Sequence, residues 1–190
     1  TSGATYTIID YGTLGGTGGY NFNKAINNLT GRQIGTWTDT GSAITLSITG
    51  DKVYWVGDAN GNWNTSQTNN WKLLSNNNYD RFINNDDVIF DDNGNTLTVD
   101  INAANVNLAS AVFNNTTAKT YTITSSGGYG IATGTITKNN SGTVTLGTTN
   151  TYSGATTVNA GTLNVTGSIL NSSVQINGGT LQVSNGNALS

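Results

Sequence analysis

The chain has no cysteine, methionine, histidine, proline or glutamate. Without cysteine there are no disulfides, no thiol chemistry and no cysteine-based zinc sites. Without histidine it lacks the commonest general base and metal ligand near neutral pH. Charge is scarce as well: charged residues make up 9% of the 190 positions, against about a quarter in an average domain. Seven Lys and Arg with a net charge of -3 leave no basic footprint for nucleic acid. No apolar run approaches the roughly 18 residues of a membrane-spanning helix, so insertion of this segment into a membrane is not expected. A start at Thr1 without methionine reads as a processed or excised segment, from which any signal peptide has been removed.

Asparagine, threonine and glycine fill the space left by these absences, at 30, 33 and 25 residues. Disordered chains are rich in Pro, Glu and Lys and poor in β-branched residues; this chain is the reverse. Thr, Val, Ile and Tyr suit a pleated surface, and Asn and Gly suit tight turns. The composition therefore predicts many short strands joined by many short turns. A thiol-free, weakly acidic chain of this kind is expected outside a bacterium, secreted or on its surface.

The last third carries an internal repeat. Asn159-Ala160-Gly161-Thr162-Leu163-Asn164-Val165-Thr166 aligns with Asn177-Gly178-Gly179-Thr180-Leu181-Gln182-Val183-Ser184. Upstream, Gly142-Thr143-Val144-Thr145-Leu146 has the same form at nearly the same offset, and Gly134-Thr135-Ile136-Thr137 reads as a weaker copy. Each copy is a glycine followed by period-two alternation, the mark of a half-buried strand. Further short strands lie between, at 155–158 and 174–176. A fixed period of about 20 residues with several strands per period marks a solenoid. One rung cannot bury its own apolar face, so stacking must set Leu163 over Leu181 and Val165 over Val183. The fold expected is all-β, a parallel β-helix preceded by an irregular aromatic-rich β region. Its rungs are expected to run roughly 18–20 residues over the C-terminal half.

Three regions follow. Residues 101–190 are the regular rungs. Residues 51–100 hold the evenly spaced Trp55, Trp63 and Trp71, then strand-like runs at 87–91 and 96–101, with Asn-Gly turns at 60–61 and 93–94. Residues 1–50 open with a strand at 6–11, pass through a Gly-rich stretch at 12–19 and at most one short helical turn at 23–29, and reach an alternating strand at 43–48. They are a β region that serves as a cap or as first rungs.

Residues 138–167 carry three blocks in order: Gly142 to Leu146, then Asn150-Thr151-Tyr152-Ser153-Gly154 through Val158, then Gly161-Thr162-Leu163. This pattern closely resembles the autotransporter-associated β-strand repeat, and the resemblance extends from about 138 to 190. The Trp55, Trp63, Trp71 and Asp87-to-Phe90 series is similar to the segment that often precedes such repeats. The resemblance implies a right-handed parallel β-helix on a secreted or surface-exposed bacterial protein, often a giant and repetitive one.

Candidate chemistry is thin. Asp58, Asn60 and Asn62, and again Asp91, Asn93 and Asn95, alternate oxygen ligands as a Ca²⁺ loop does. The same residues beside glycine are also ordinary turn formers, and the bidentate Glu that completes such a loop is absent. Asp86 and Asp87 are adjacent and point to opposite faces of a strand, a poor pair for glycoside cleavage. Trp55, Trp63 and Trp71 are candidates for a platform on which a surface glycan stacks, or for core packing. The Gly12–Gly19 stretch lacks the ending of a phosphate loop, and the abundant hydroxyls have no base beside them. The chain is therefore read as non-enzymatic and cofactor-free, with calcium as the one cofactor candidate. It is an extracellular structural or adhesive solenoid, part of a larger repeat protein or stacking head to tail with its own copies. A carbohydrate-binding β-helix is the alternative.

Overall fold

The computed structural model describes residues 4–10, 32–184 and 188–189. The Gly-rich stretch at 12–19 and the helical turn expected at 23–29 lie outside these residues. The chain forms two compact units, Thr1–Asp51 and Lys52–Ser190.

The first unit is a three-stranded antiparallel sheet of β1 (Ala4–Asp10), β2 (Gln33–Asp39) and β3 (Ala43–Gly50), in the order β1-β3-β2. Tyr6 and Trp37 flank Leu46, while Thr7 and Thr38 flank Thr45. Alternation thus gives the sheet one face richer in apolar side chains and one richer in hydroxyls, the latter also carrying Ile34.

The second unit is the parallel solenoid, of about 4 turns. Its strands are β4 (Val53–Trp55), β5 (Trp71–Leu73), β6 (Tyr79–Asp80), β7 (Asp86–Phe90), β8 (Thr98–Asp100), β9 (Val106–Phe113) and β10 (Tyr121–Thr124). They continue as β11 (Ile131–Lys138), β12 (Thr143–Leu146), β13 (Thr149–Asn150), β14 (Thr156–Val158), β15 (Thr162–Val165), β16 (Ser168–Ile169), β17 (Val174–Ile176) and β18 (Thr180–Val183). One long sheet runs β17-β14-β11-β9-β7-β4-β5-β6, and a second runs β18-β15-β12-β10-β8. All pairs are parallel except those of β5, which run antiparallel to β4 and β6.

Stacking in register makes vertical columns. Two inward columns of the longer sheet read Val88–Ala111–Ile136–Thr156–Val174 and Phe90–Phe113–Lys138–Val158–Ile176. The facing sheet supplies Val99–Ile123–Leu146–Val165–Val183 and Tyr121–Val144–Leu163–Leu181. Leu163 lies over Leu181 and Val165 over Val183, as the repeat requires. Because each backbone pairs with the rungs above and below, a polar chain folds on a thin apolar core.

Two expectations change. The rungs are not of one length over the C-terminal half. Val99 pairs with Ile123 and Ile123 with Leu146, the longer steps along that column. Only after that do the steps shorten, from Leu146 to Val165 and again from Val165 to Val183. The loop at 114–120 and the bends at 125–130 lengthen the earlier turns. Gly134-Thr135-Ile136-Thr137 is also not a copy of the Gly142 strand: it belongs to the other sheet, where Ile136 pairs with Thr156. Period-two alternation is the same on every face of a solenoid, so a strand's pattern alone does not say which column it joins.

Candidate functional site

The Asn-Thr-Tyr-Ser-Gly motif of the repeat becomes a hydrogen-bonded corner. Asn150 in β13 is buried, and its amide is fully used. Its Oδ1 accepts from the Ile131 backbone N–H at 2.9 Å and from the Thr148 hydroxyl at 2.9 Å. Its Nδ2 donates to the carbonyls of Thr148 at 2.9 Å and Ser168 at 3.0 Å. One side chain therefore ties three successive coils. Two residues on, Tyr152 is also buried, and its hydroxyl lies 2.7 Å from Thr156 Oγ1. Thr156 Oγ1 lies 2.7 Å from Ser172 Oγ, whose O–H donates to the Gly154 carbonyl at 2.7 Å. Each hydroxyl has one proton, so the chain runs Tyr152 to Thr156 to Ser172 to Gly154. Burial pushes the Tyr152 pKa upward. Gly154 is required for close approach: a Cβ there would sit 2.1 Å from the Gly134 carbonyl oxygen.

A second feature is an asparagine ladder just past the strands of the longer sheet. Asn139 Nδ2 donates to Asn114 Oδ1 at 3.0 Å, Asn159 Nδ2 to Asn139 Oδ1 at 2.8 Å and Asn177 Nδ2 to Asn159 Oδ1 at 2.8 Å. Amides fit because each is both donor and acceptor and the strands lie about 4.8 Å apart. Earlier turns use aspartate instead. The Ser110 hydroxyl donates to Asp87, the Thr116 N–H and hydroxyl to Asp92, and the Ser126 N–H and hydroxyl to Asp100. These contacts hold the Asp92 carboxyl below its ordinary pKa. The aligned repeat copies already set Asn159 against Asn177, whereas Asn114 and Asn139 join the ladder only once rung lengths are known, because the four are unevenly spaced.

The expected calcium loops are brought together by stacking, as hydrogen-bonded turns. Asp58 Oδ1 accepts from Asn95 Nδ2 at 2.6 Å and Asp58 Oδ2 from the Tyr79 hydroxyl at 2.6 Å. The Tyr79 contact first and the Asn95 contact second lower the Asp58 pKa, and the first raises that of Tyr79. Lys72 Nζ stands 3.9 Å from Asp58 and 4.4 Å above the Tyr79 ring. Asn60 Oδ1 accepts from the Asn62 N–H at 2.9 Å and Asn70 Nδ2 at 2.8 Å. Asp91 accepts from the N–H and Nδ2 of Asn93, both at 2.9 Å. The carboxylate oxygens of Asp58 and Asp91 and the amide oxygen of Asn60 thus each accept from a protein donor.

The glycan platform is corrected. Trp55, Trp63 and Trp71 are each 0% exposed, so no ring face is open to a sugar. They form the aromatic end of the core with Phe82 and Phe90. Trp55 and Trp71 centroids are 5.0 Å apart at 80°, and Trp63 meets Phe82 at 5.7 Å and 88°. Phe90 then stacks on Phe113 at 4.8 Å, carrying the cluster into the next rung. Trp55 Nε1 donates to the Thr96 carbonyl at 2.7 Å. Asp86 and Asp87 face opposite ways as expected, Asp86 inward to the Ile83 N–H and Asp87 outward to Ser110.

Lys138 was not singled out in the sequence. It takes an inward position between Phe113 and Val158, with 0% exposure. Its amine donates to the carbonyls of Asn139 and Asn140, the latter at 2.8 Å. Loss of hydration lowers its pKa to about 8.

These columns and corners define a parallel β-solenoid of stacked repeats. Residues 136–165, which contain the Asn150 corner, match the family model described as passenger-associated-transport-repeat. The match and the solenoid together fit an autotransporter-associated β-strand repeat protein. No curated protein and no solved structure matches the chain.

Proposed function

We propose that this passenger-type structural repeat serves outside the bacterial cell as a stiff, non-enzymatic segment that extends or presents other parts of a surface protein. The observation that carries the reading is the unbroken register of four inward columns, which is kept through β17 and β18. Such stacking gives rigidity and protease resistance without disulfides, because every inner rung is paired along its backbone on both sides. The side chains that chemistry would need are used as fasteners: Asp87, Asp92 and Asp100 join neighbouring rungs, and Asp58 joins two loops. The matched family implies a secreted or cell-surface protein. Adhesion, or stacking into filaments, would use the outer faces of the same scaffold.

The test is surface labelling in the source cells with antibody against residues 98–183. Labelling of intact cells, with the epitope surviving external trypsin that strips less ordered surface proteins, supports the reading. Labelling only after permeabilisation overturns it.

A further inference from the structure

The outer face of the shorter sheet is built largely of threonine. Burial alternates along β12 and β15, so Val144, Leu146, Leu163 and Val165 point inward and the threonines between them outward. Stacking turns the outward residues into two parallel ranks. One reads Thr143–Thr162–Thr180, and the other Thr98–Thr122–Thr145, continued by Asn164 and Gln182. All are exposed or half-exposed. Hydroxyls at the corners, such as those of Thr116, Thr148 and Thr156, are bonded to other side chains. Those of Thr98, Thr122, Thr143, Thr162 and Thr180 bond to no described residue. Beyond Asp100 in β8 the five strands hold no charge, and their one ring, Tyr121, is buried in the core.

We propose that this face is an ice-binding surface, and that its ligand is the ordered water lattice of a growing ice crystal. Its chemistry does not suit other partners. Nucleic acid demands lysine and arginine, a sugar demands a ring to stack on, and a protein partner demands aromatic or arginine anchors. The face offers instead a methyl and a hydroxyl at successive points of a grid. Rungs lie about 4.8 Å apart and alternate residues of a strand about 6.7 Å apart, near the repeats of the oxygen atoms on the faces of ordinary ice. Each hydroxyl both donates and accepts, as each lattice water does. One such contact is worth little against liquid water. Two ranks in register make many at once. Their β-branched side chains are stiff at χ1 and sit on a paired backbone, so they lose little freedom on binding. The proposal rests on the rung register and is independent of where the protein resides.

The whole chain, carrying a fluorescent label, is held just below freezing while ice grows slowly through the solution. Enrichment in the ice is expected, against an ordinary labelled protein that growing ice pushes out. Thr145→Tyr with Thr162→Tyr is expected to return the chain to that excluded level. Thr137→Tyr with Thr157→Tyr, paired on the outer face of the longer sheet, is expected to leave the enrichment unchanged. All four positions are half-exposed, and unchanged thermal melts show that the variants keep their fold; if the first pair melts early, Thr145→Lys alone takes its place. Exclusion of the wild-type chain, enrichment indifferent to the first pair, or equal loss in both pairs overturns the proposal. Retention on microcrystalline cellulose without enrichment in ice assigns the face to a polysaccharide and also overturns it.

Discussion

The head of the solenoid, from β4 to β10, and its tail, from β11 to β18, solve one stacking problem with different chemistry. The head has the longer turns, a core in which Trp, Phe and Tyr join the aliphatic residues, and aspartates that fasten rungs to hydroxyls of the next. The tail has shorter turns, a core of Val, Leu and Ile, and neutral amides that fasten Asn to Asn. The difference follows from volume and valence. Large rings fill a wide, irregular first turn and shield it from solvent. A carboxylate only accepts, so it ends a fastening after one step. An amide donates and accepts, so it propagates one indefinitely. A repeating unit therefore suits asparagine, and a closed end suits aspartate and tryptophan.

The largest expected effect is at the head. Trp71→Ala removes a ring in contact with Trp55, Trp63, Phe82 and Phe90 and is expected to cost about 3–5 kcal/mol in urea unfolding. Leu163→Ala in the tail should cost less, about 2–3 kcal/mol; an equal or greater loss there would erase the contrast between the two cores. Asn150→Ala comes next. It strands a buried N–H and two buried carbonyls and is expected to cost about 2–3 kcal/mol. Loss of hydrogen-exchange protection should spread from Ile131 to Ser168 and leave the aromatic rungs intact. Loss at the head as well would mean the two regions unfold as one.

Lys138, at the boundary, sharpens the comparison through pH. Its folded pKa is about 8 against an ordinary 10.5. Between those values the unfolded chain holds the extra proton, so stability rises with pH from about 8 toward 10.5. Tyr121 and Tyr152 act oppositely: burial raises their pKa above the ordinary 10.0, so stability falls once the pH exceeds that value. Melting temperature should peak between these limits. Lys138→Met is expected to stabilise at pH 7 by about 1–3 kcal/mol and to flatten the rise. A wild-type melt that is level across the mildly alkaline range would contradict the assignment. The smallest effects belong to the 58–62 and 91–95 turns. Lowering the pH through the depressed pKa of Asp58 should remove a small part of the head's stability, a step absent in Asp58→Asn. A chelator should leave the melt unchanged, because protein donors already engage the oxygens of Asp58, Asn60 and Asp91; a marked drop would restore calcium to the account.

Much of the tail could be read from residues alone. Gly161-Thr162-Leu163 and its copy at Gly179 announce strand, turn and period, and stacking of Leu163 on Leu181 is their simplest consequence. Length was harder. Nothing in the local pattern at 114–130 says that those turns outrun the ones that follow, because a loop lengthens a rung without changing its strands. The tryptophans were ambiguous for a related reason: their even spacing fits a platform or a core, and only the closing strands β5 and β6 decide that the rings are covered. The Asn150 corner stood out as a motif, yet its partners Ile131 and Ser168 are 19 and 18 residues away and are met only when coils stack.

Composition and repeat thus determined the class of structure, since abundant β-branched residues, turn formers and a short fixed period leave a stacked coil as the way to bury alternate side chains. Tertiary structure alone decided which strands share a column, which polar groups become fasteners, and that β4, β5 and β6 close the head. Those choices depend on rung length and register, which bring together residues a whole coil apart, and short-range pattern carries no record of them.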